Sequence, residues 1–440
     1  MSSSNPGSGP QRQEQSVQGG RHQPRTPLGK LLRNPLLRHN ILYLIGIGGS
    51  GAGVLVAQSY GAHHLSQAAN GESTAVVAVL NLLYTTSYVV AAGCAREVAA
   101  ALAIGMDATG QWPLLRRSSW RIGLTLGAVM IPVDLLLALL LHLPNPWILA
   151  LTVLAGPIAA FGGAQRGYLQ GAREFGPLAV NFLLYGLTMV VLAVALLHLG
   201  FGATAVPLAS VAGALGSALY PRHPSVVGSG RRAHPGPLVD GTVVAGAATA
   251  PIFNNIDVVA ARHVLSPTGA GLYSGLSVMG KILFFGTSSL SAVMYPRVAA
   301  AGSREARRRL LIQTAAVLLT LDAFVVGGYT LLSRPLLGVV LGHRYESDAT
   351  LLLLFSLGVV GLTVVNLLVY YSMGARDRSF AIVPAIGVPL LIGWLFTSPP
   401  ELSAFVPRIA SALLILGALE MVLVLPRALR GGTRRAGDDF

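Results

Sequence analysis

Asp257 and Lys281 are an acid and a base set into long apolar runs. Such a pair can bind an ion, hold a charged ligand, or neutralise itself. Asp257 lies in PIFNNIDVVAARHVL (251–265), beside Asn254 and Asn255. Read as one helix, Asn254 and Asp257 are three apart and share a face. Ser274, Ser277, Lys281 and Ser288 share another. A charge at the centre of a membrane helix costs about 2.5–3.5 kcal/mol on insertion scales, so such residues face the bundle interior. The two stripes are expected to line one hydrated surface, as a substrate or ion pathway. A structural ion pair locking two helices is the competing reading, and both stay open. A further polar face, Asn81, Tyr84, Thr85 and Tyr88 at i, i+3, i+4 and i+7, suits sugar hydroxyls and ring stacking, and equally interhelical hydrogen bonding. Asp134 and Asp322 are candidates for coupling or for structural carboxylates. Nothing clusters Cys and His as a metal site would, and the single Cys94 allows no intramolecular disulfide. GIGGSG (46–51) has dinucleotide-loop spacing, but with no strand before it close helix packing is the plainer reading. No P-loop is present, so ATP cannot drive the chain directly. No cofactor is expected, and proton or Na+ coupling stays open.

The elements that must position these residues follow from composition. The chain is 53% hydrophobic and 11% charged, with mean hydropathy +0.63; soluble domains carry about 25% charged residues. Apolar runs near twenty residues recur without strand-like alternation. They predict an all-α polytopic membrane protein with helices at about 39–60, 74–95, 121–142, 147–166, 176–198, 203–221, 241–262, 269–295, 309–333, 349–372, 379–397 and 404–426. Residues 1–38, rich in Ser, Gly, Gln and Pro, read as a disordered cytoplasmic tail. Residues 222–240 read as a cytoplasmic linker and 427–440 as a basic cytoplasmic tail.

Basic residues orient the spans. With both termini cytoplasmic, 26 of the 31 Lys and Arg fall inside and 4 outside, leaving Lys281 in a span. This is the positive-inside pattern, and a miscounted helix would destroy it. The net charge of +14 then reflects topology and contact with anionic membrane lipids. A nucleic-acid partner is not expected.

The halves repeat. YLQGARE (168–174) matches YSMGARD (371–377), and Arg96 matches Arg297. Arg121 matches Arg309, and Asp134 matches Asp322. The offset changes only at loops. Six helices per half enter the membrane in the same direction, giving pseudo-symmetric lobes 39–221 and 241–426 about an axis along the membrane normal. Substrate sites in such proteins lie near the midplane between repeats.

These residues carry a resemblance. The segment 254–299 resembles the seventh and eighth helices of the polysaccharide flippases, in the multidrug/oligosaccharidyl-lipid/polysaccharide exporter superfamily. The matching features are Asn255 with Asp257, AGLY (270–273) and Pro296–Arg297. QRGYLQGAREF (165–175) resembles the family's fourth–fifth loop, and 336–358 its ninth–tenth segment. The resemblance spans 39–426. It implies two six-helix lobes in a V, as in the multidrug exporters of the superfamily, around a cavity opening alternately to each side. Members that move lipid pyrophosphates often place several basic residues in that cavity; here Lys281 alone is offered.

The expected function is translocation of a lipid-linked oligosaccharide or polysaccharide precursor from the inner to the outer leaflet of the plasma membrane, beside polysaccharide assembly proteins. The alternative is a cation-coupled exporter of small organic molecules on the same fold. An enzyme is not expected, because every outer loop is short, the longest spanning 334–348.

Overall fold

The computed structural model describes residues 35–105, 109–220, 249, 251–375, 377 and 382–429. Apolar runs of this length can satisfy their backbone in a bilayer only as helices or closed barrels, and the described residues are helical with no strand. Among the described residues the main helices run in order: α1 Pro35–His64, α2 Gln67–Ala103, α3 Trp112–Leu140, α4 Ala150–Gly171, α5 Phe175–His198, α6 Ala205–Ala218, α7 Ile256–Val264, α8 Pro267–Ala300, α9 Arg304–Leu341, α10 Ala349–Ala375, α11 Ile382–Phe396 and α12 Leu402–Leu429. Nine helices among the described residues are long and apolar enough to cross a membrane. Leucines along α3, such as Leu124, Leu135 and Leu139, are exposed, as expected where the solvent is lipid.

The repeat is visible in matching contacts. Ser66 caps α2 by accepting from the Ala69 amide, and Ser266 caps α8 by accepting from that of Gly269. A Cβ at Gly171 would lie 2.8 Å from Cβ of Val98, and one at Gly374 3.1 Å from Cβ of Val298. So each GAR glycine lets its helix, α4 or α10, press against the matching valine of α2 or α8. Gly163, Gly167 and Gly171 bring α4 onto the α2 backbone at Ser87, Ala91 and Ala95. Small residues four apart are how helices approach closely in lipid.

Four expectations need correction. α1 begins at Pro35, inside the expected tail 1–38. α12 runs to Leu429, into the expected tail from 427. Most of both tails and the 222–240 linker lie outside the described residues. α9 runs to Leu341 across Pro335, with a kink at Leu332 (φ −123°, ψ 19°), so much of the expected 334–348 loop is helical. The seventh helix is not continuous. It is helical over 251–253, turns at Asn254 and Asn255, and resumes as α7. Asn255 has φ −135° and its Nδ2 donates to the Pro251 carbonyl at 2.8 Å. The side chain thus satisfies a backbone acceptor that the interrupted ladder leaves open.

One end of the bundle carries the turns at 64–67, 141–149, 265–267 and 342–348; the other carries those at 104–105, 172–174 and 301–303. They are called here the Ser66 end and the Gly171 end. The hydrogen bonds that join the halves between described residues lie from the Ser66 end inward to the Asn81–Asn255 level. Asn81 Nδ2 donates to Asn255 Oδ1 at 3.1 Å, and Asn70 Nδ2 to the Tyr345 hydroxyl at 3.0 Å. Ser59 Oγ donates to the Val340 carbonyl. Gly71 of α2 and Gly271 of α8 meet backbone to backbone.

Candidate functional site

In the second half, the break at Asn254–Asn255 leaves Asp257 in the first turn of α7. A carboxylate is favoured there by the exposed amides and the helix dipole. Its Oδ2 accepts from the Tyr273 hydroxyl of α8 at 2.6 Å, and its Oδ1 has no hydrogen-bond partner. Lys281 lies farther along α8, 3% exposed, and its Nζ has no partner either. The two charges are close enough to interact electrostatically but form no direct bond. The structure places Asp257 and Lys281 on neighbouring helices, α7 and α8. Ser274 and Ser277 are buried, and Ser274 donates to its own helix at the Ala270 carbonyl. Asn254 sits on the turn and not on the Asp257 helix face.

In the first half, the α2 face divides. Asn81 reaches across to Asn255, and Thr85 is buried and bonds back to the Asn81 carbonyl at 3.5 Å. Tyr84 meets Tyr185 edge-on, with centroids 6.4 Å apart. Tyr88 is 51% exposed. The feature that sequence reasoning missed is Arg166. The expected fourth helix ends there, yet α4 continues to Gly171. The guanidinium is therefore held inside the lobe. Nε donates to Asn181 Oδ1 at 2.8 Å, Nη2 to Ser217 Oγ at 3.1 Å and Nη1 to Ser87 Oγ at 3.5 Å. Its Cζ lies 4.8 Å from the Phe182 ring centroid, in cation–π range. No carboxylate among the described residues lies within ion-pair distance of it. The tyrosines Tyr43, Tyr84, Tyr88 and Tyr185 lie within its electrostatic reach. Tyr370 of the second half reaches toward Tyr43 and Tyr88 and packs against Tyr295, with centroids 6.2 Å apart. The arrangement is a cation held by neutral donors and acceptors, with four tyrosines of the first half within its electrostatic reach.

The repeat-matched carboxylates are tied to threonines. Asp134 accepts from Thr152 at 2.7 and 2.6 Å, and Asp322 accepts from Thr363 at 2.7 Å. In each half the threonine sits on the helix after the aspartate's, α4 or α10. Glu420 on α12 is fully buried, and neither carboxyl oxygen has a hydrogen-bond partner. No group of three or more metal-ligating side chains is found among the described residues.

No family model matches the sequence, and no curated protein matches it. Solved structures match its fold. An inward-facing conformation of a multidrug resistance MATE family transporter of the MOP superfamily aligns with TM-score 0.65 at 14% identity, over 88% of this chain and 94% of that one. An outward-facing conformation of such a transporter gives 0.60 at 14% identity, over 91% and 97%. The eukaryotic MATE transporter AtDTX14 gives 0.58 at 15% identity, over 90% and 97%. The chain has the fold of these multi-pass membrane transporters.

Proposed function

We propose that this chain is a membrane transporter that passes the anionic, glycan-bearing headgroup of a lipid-linked oligosaccharide or polysaccharide precursor between its lobes. Movement is from the inner to the outer leaflet of the plasma membrane by alternating access, with both termini cytoplasmic. The observation that carries the reading is Arg166. A guanidinium held within a lobe is costly, and here its partners are neutral. Its charge is left for a ligand, and a phosphate or pyrophosphate is the chemistry a guanidinium recognises best. The surrounding tyrosines offer hydroxyls and ring faces to sugars. Lys281 supplies a second cation in the other lobe. The fold, shared with transporters solved in inward- and outward-facing conformations, supports alternating access.

A second reading is a cation-coupled exporter of small organic molecules. It draws on the multidrug resistance transporter of the same fold and on the open Oδ1 of Asp257 beside Lys281, a place where a proton or Na+ could exchange. A cation site does not explain Arg166, which would repel cationic drugs. The two readings separate in vesicles holding the purified protein. The first predicts leaflet transfer of a lipid-linked pyrophosphoryl oligosaccharide without efflux of a cationic dye under an imposed proton or Na+ gradient. Dye efflux without glycan transfer would replace it with the second.

A further inference from the structure

The basic residues are distributed against one end, and the exceptions have work to do. Among the described residues, only Arg262, Arg334, Arg344 and Arg408 lie toward the Ser66 end. Arg408 stays within its own half, donating to Thr397 with its Cζ 4.1 Å from the Trp394 ring centroid. Arg262 and Arg344 do something else: each crosses from the second half to the C-terminus of a helix in the first.

Arg262 is in the last turn of α7 and is 5% exposed. Its Nε donates to the Leu141 carbonyl at 3.0 Å and its Nη2 to the His142 carbonyl at 3.1 Å. The next residue, His263, bonds through Nδ1 to the Leu140 carbonyl at 2.8 Å and stacks on His142, with centroids 5.6 Å apart. So three successive carbonyls at the end of α3 are taken by one turn of α7. Arg344 does the same for α1. Its Nη2 donates to the His63 carbonyl at 2.8 Å, while its own carbonyl accepts from Gln67 Nε2 at 3.0 Å. The last carbonyls of a helix have no intrahelical donor and carry the negative end of the dipole. A guanidinium answers both needs at once. Glu72 of α2 also lies within electrostatic reach of Arg262. Nothing in helix formation requires these caps to come from the other half; their effect is to hold the halves together at this end.

We propose that Arg262 and Arg344 form an inter-lobe latch, and that opening the Ser66 end consists of the two guanidiniums leaving the C-termini of α3 and α1. Such a latch suits a reversible gate. Once the halves part, the freed carbonyls and the charges are satisfied by water, so neither state buries an unpaired group. The inference goes beyond the transport reading and does not depend on what is carried.

The experiment uses the full chain in lipid nanodiscs, with Cys94→Ser to remove the native thiol. Spin labels are placed at Trp147→Cys in the first half and Thr268→Cys in the second, both exposed at the Ser66 end, and distances are read by pulsed electron resonance. The latch predicts that Arg262→Gln and Arg344→Gln each add a longer-distance population, and that the double variant enlarges it. Arg334→Gln, which removes the same charge from an exposed site at the same end, should leave the distribution unchanged. The proposal is overturned if the double variant overlays the parent, or if Arg334→Gln shifts the distances equally. Should Arg262→Gln fail to fold, Arg344→Gln alone decides: a longer population supports the latch and an unchanged distribution overturns it.

Discussion

The two halves share a helix order and matching contacts, yet their interiors are charged differently. In the first half the interior cation Arg166 is surrounded by Asn181, Ser217, Ser87 and Phe182, all neutral. In the second, Asp257, Lys281, Asp322 and Glu420 are each at least 96% buried, and each keeps at least one polar atom without a hydrogen bond. Buried polar groups are normally satisfied, and those that are not call for a reason. The first half holds its interior cation through neutral side chains. The second keeps open valences on groups that can gain or lose a proton. The difference teaches that the repeat preserves packing while the interior charge has diverged, with a cation among neutral groups on one side and buried carboxylates beside a lysine on the other.

The largest effect expected from breaking this contrast is at Lys281. Lys281→Ala and Lys281→Gln should abolish transport in vesicles holding equal protein, while Lys281→Arg, which keeps charge but cannot release a proton, should retain part. An Arg variant as inactive as Ala would move Lys281 from the substrate path to a deprotonating role. Asp257→Asn should reduce transport at near-normal membrane abundance. If abundance falls instead, the pair is structural, since leaving a buried charge unpaired costs about 3–5 kcal/mol.

A smaller, symmetric effect is expected where the repeat is preserved. Gly171→Ala and Gly374→Ala each push a methyl into a valine of the neighbouring helix, and overpacking costs about 1–3 kcal/mol. Both should lower the unfolding temperature in detergent by similar amounts. A loss at one position only would show that the two α–α contacts are not equivalent. The smallest effect belongs to the threonine-tied carboxylates. Asp134→Asn keeps an acceptor for Thr152 and should change stability by less than about 1 kcal/mol, with transport near the parent's. A large transport loss at Asp134 with stability intact would make it a coupling group and bring the two lobes' chemistry closer together.

The helices were legible because a bilayer leaves the backbone no alternative, so hydropathy reports element type directly. Asp257 and Lys281 were legible because charge in apolar sequence is rare. Arg166 was not, because GAQRGYLQGARE reads like a loop: glycines and polar side chains usually end a helix. Here Gly163, Gly167 and Gly171 are instead the packing face against α2. Their four-residue spacing, which ends at the Gly171 of Gly-Ala-Arg, was the available signal that α4 runs on and carries Arg166 inward. The Asn254–Asp257 face misled for the opposite reason. Periodicity assumes an unbroken helix, whereas Asn255 bonds its own upstream carbonyl and interrupts it. The Arg262 and Arg344 contacts join residues 120 or more positions apart, which no local pattern reveals.

Arg166 gives the most direct test. Vesicles carrying equal amounts of the parent, Arg166→Lys and Arg166→Gln are compared for leaflet transfer of a lipid-linked pyrophosphoryl oligosaccharide, with thermal unfolding measured on the same preparations. The account predicts that Arg166→Gln loses most of the transfer, at least tenfold if the guanidinium contributes about 1.5–3 kcal/mol through charged hydrogen bonds, and that Arg166→Lys retains part of it. Stability should fall little, since glutamine can still donate to Asn181 or Ser217. Undiminished transfer by Arg166→Gln would contradict the account and leave the first lobe without its anion site.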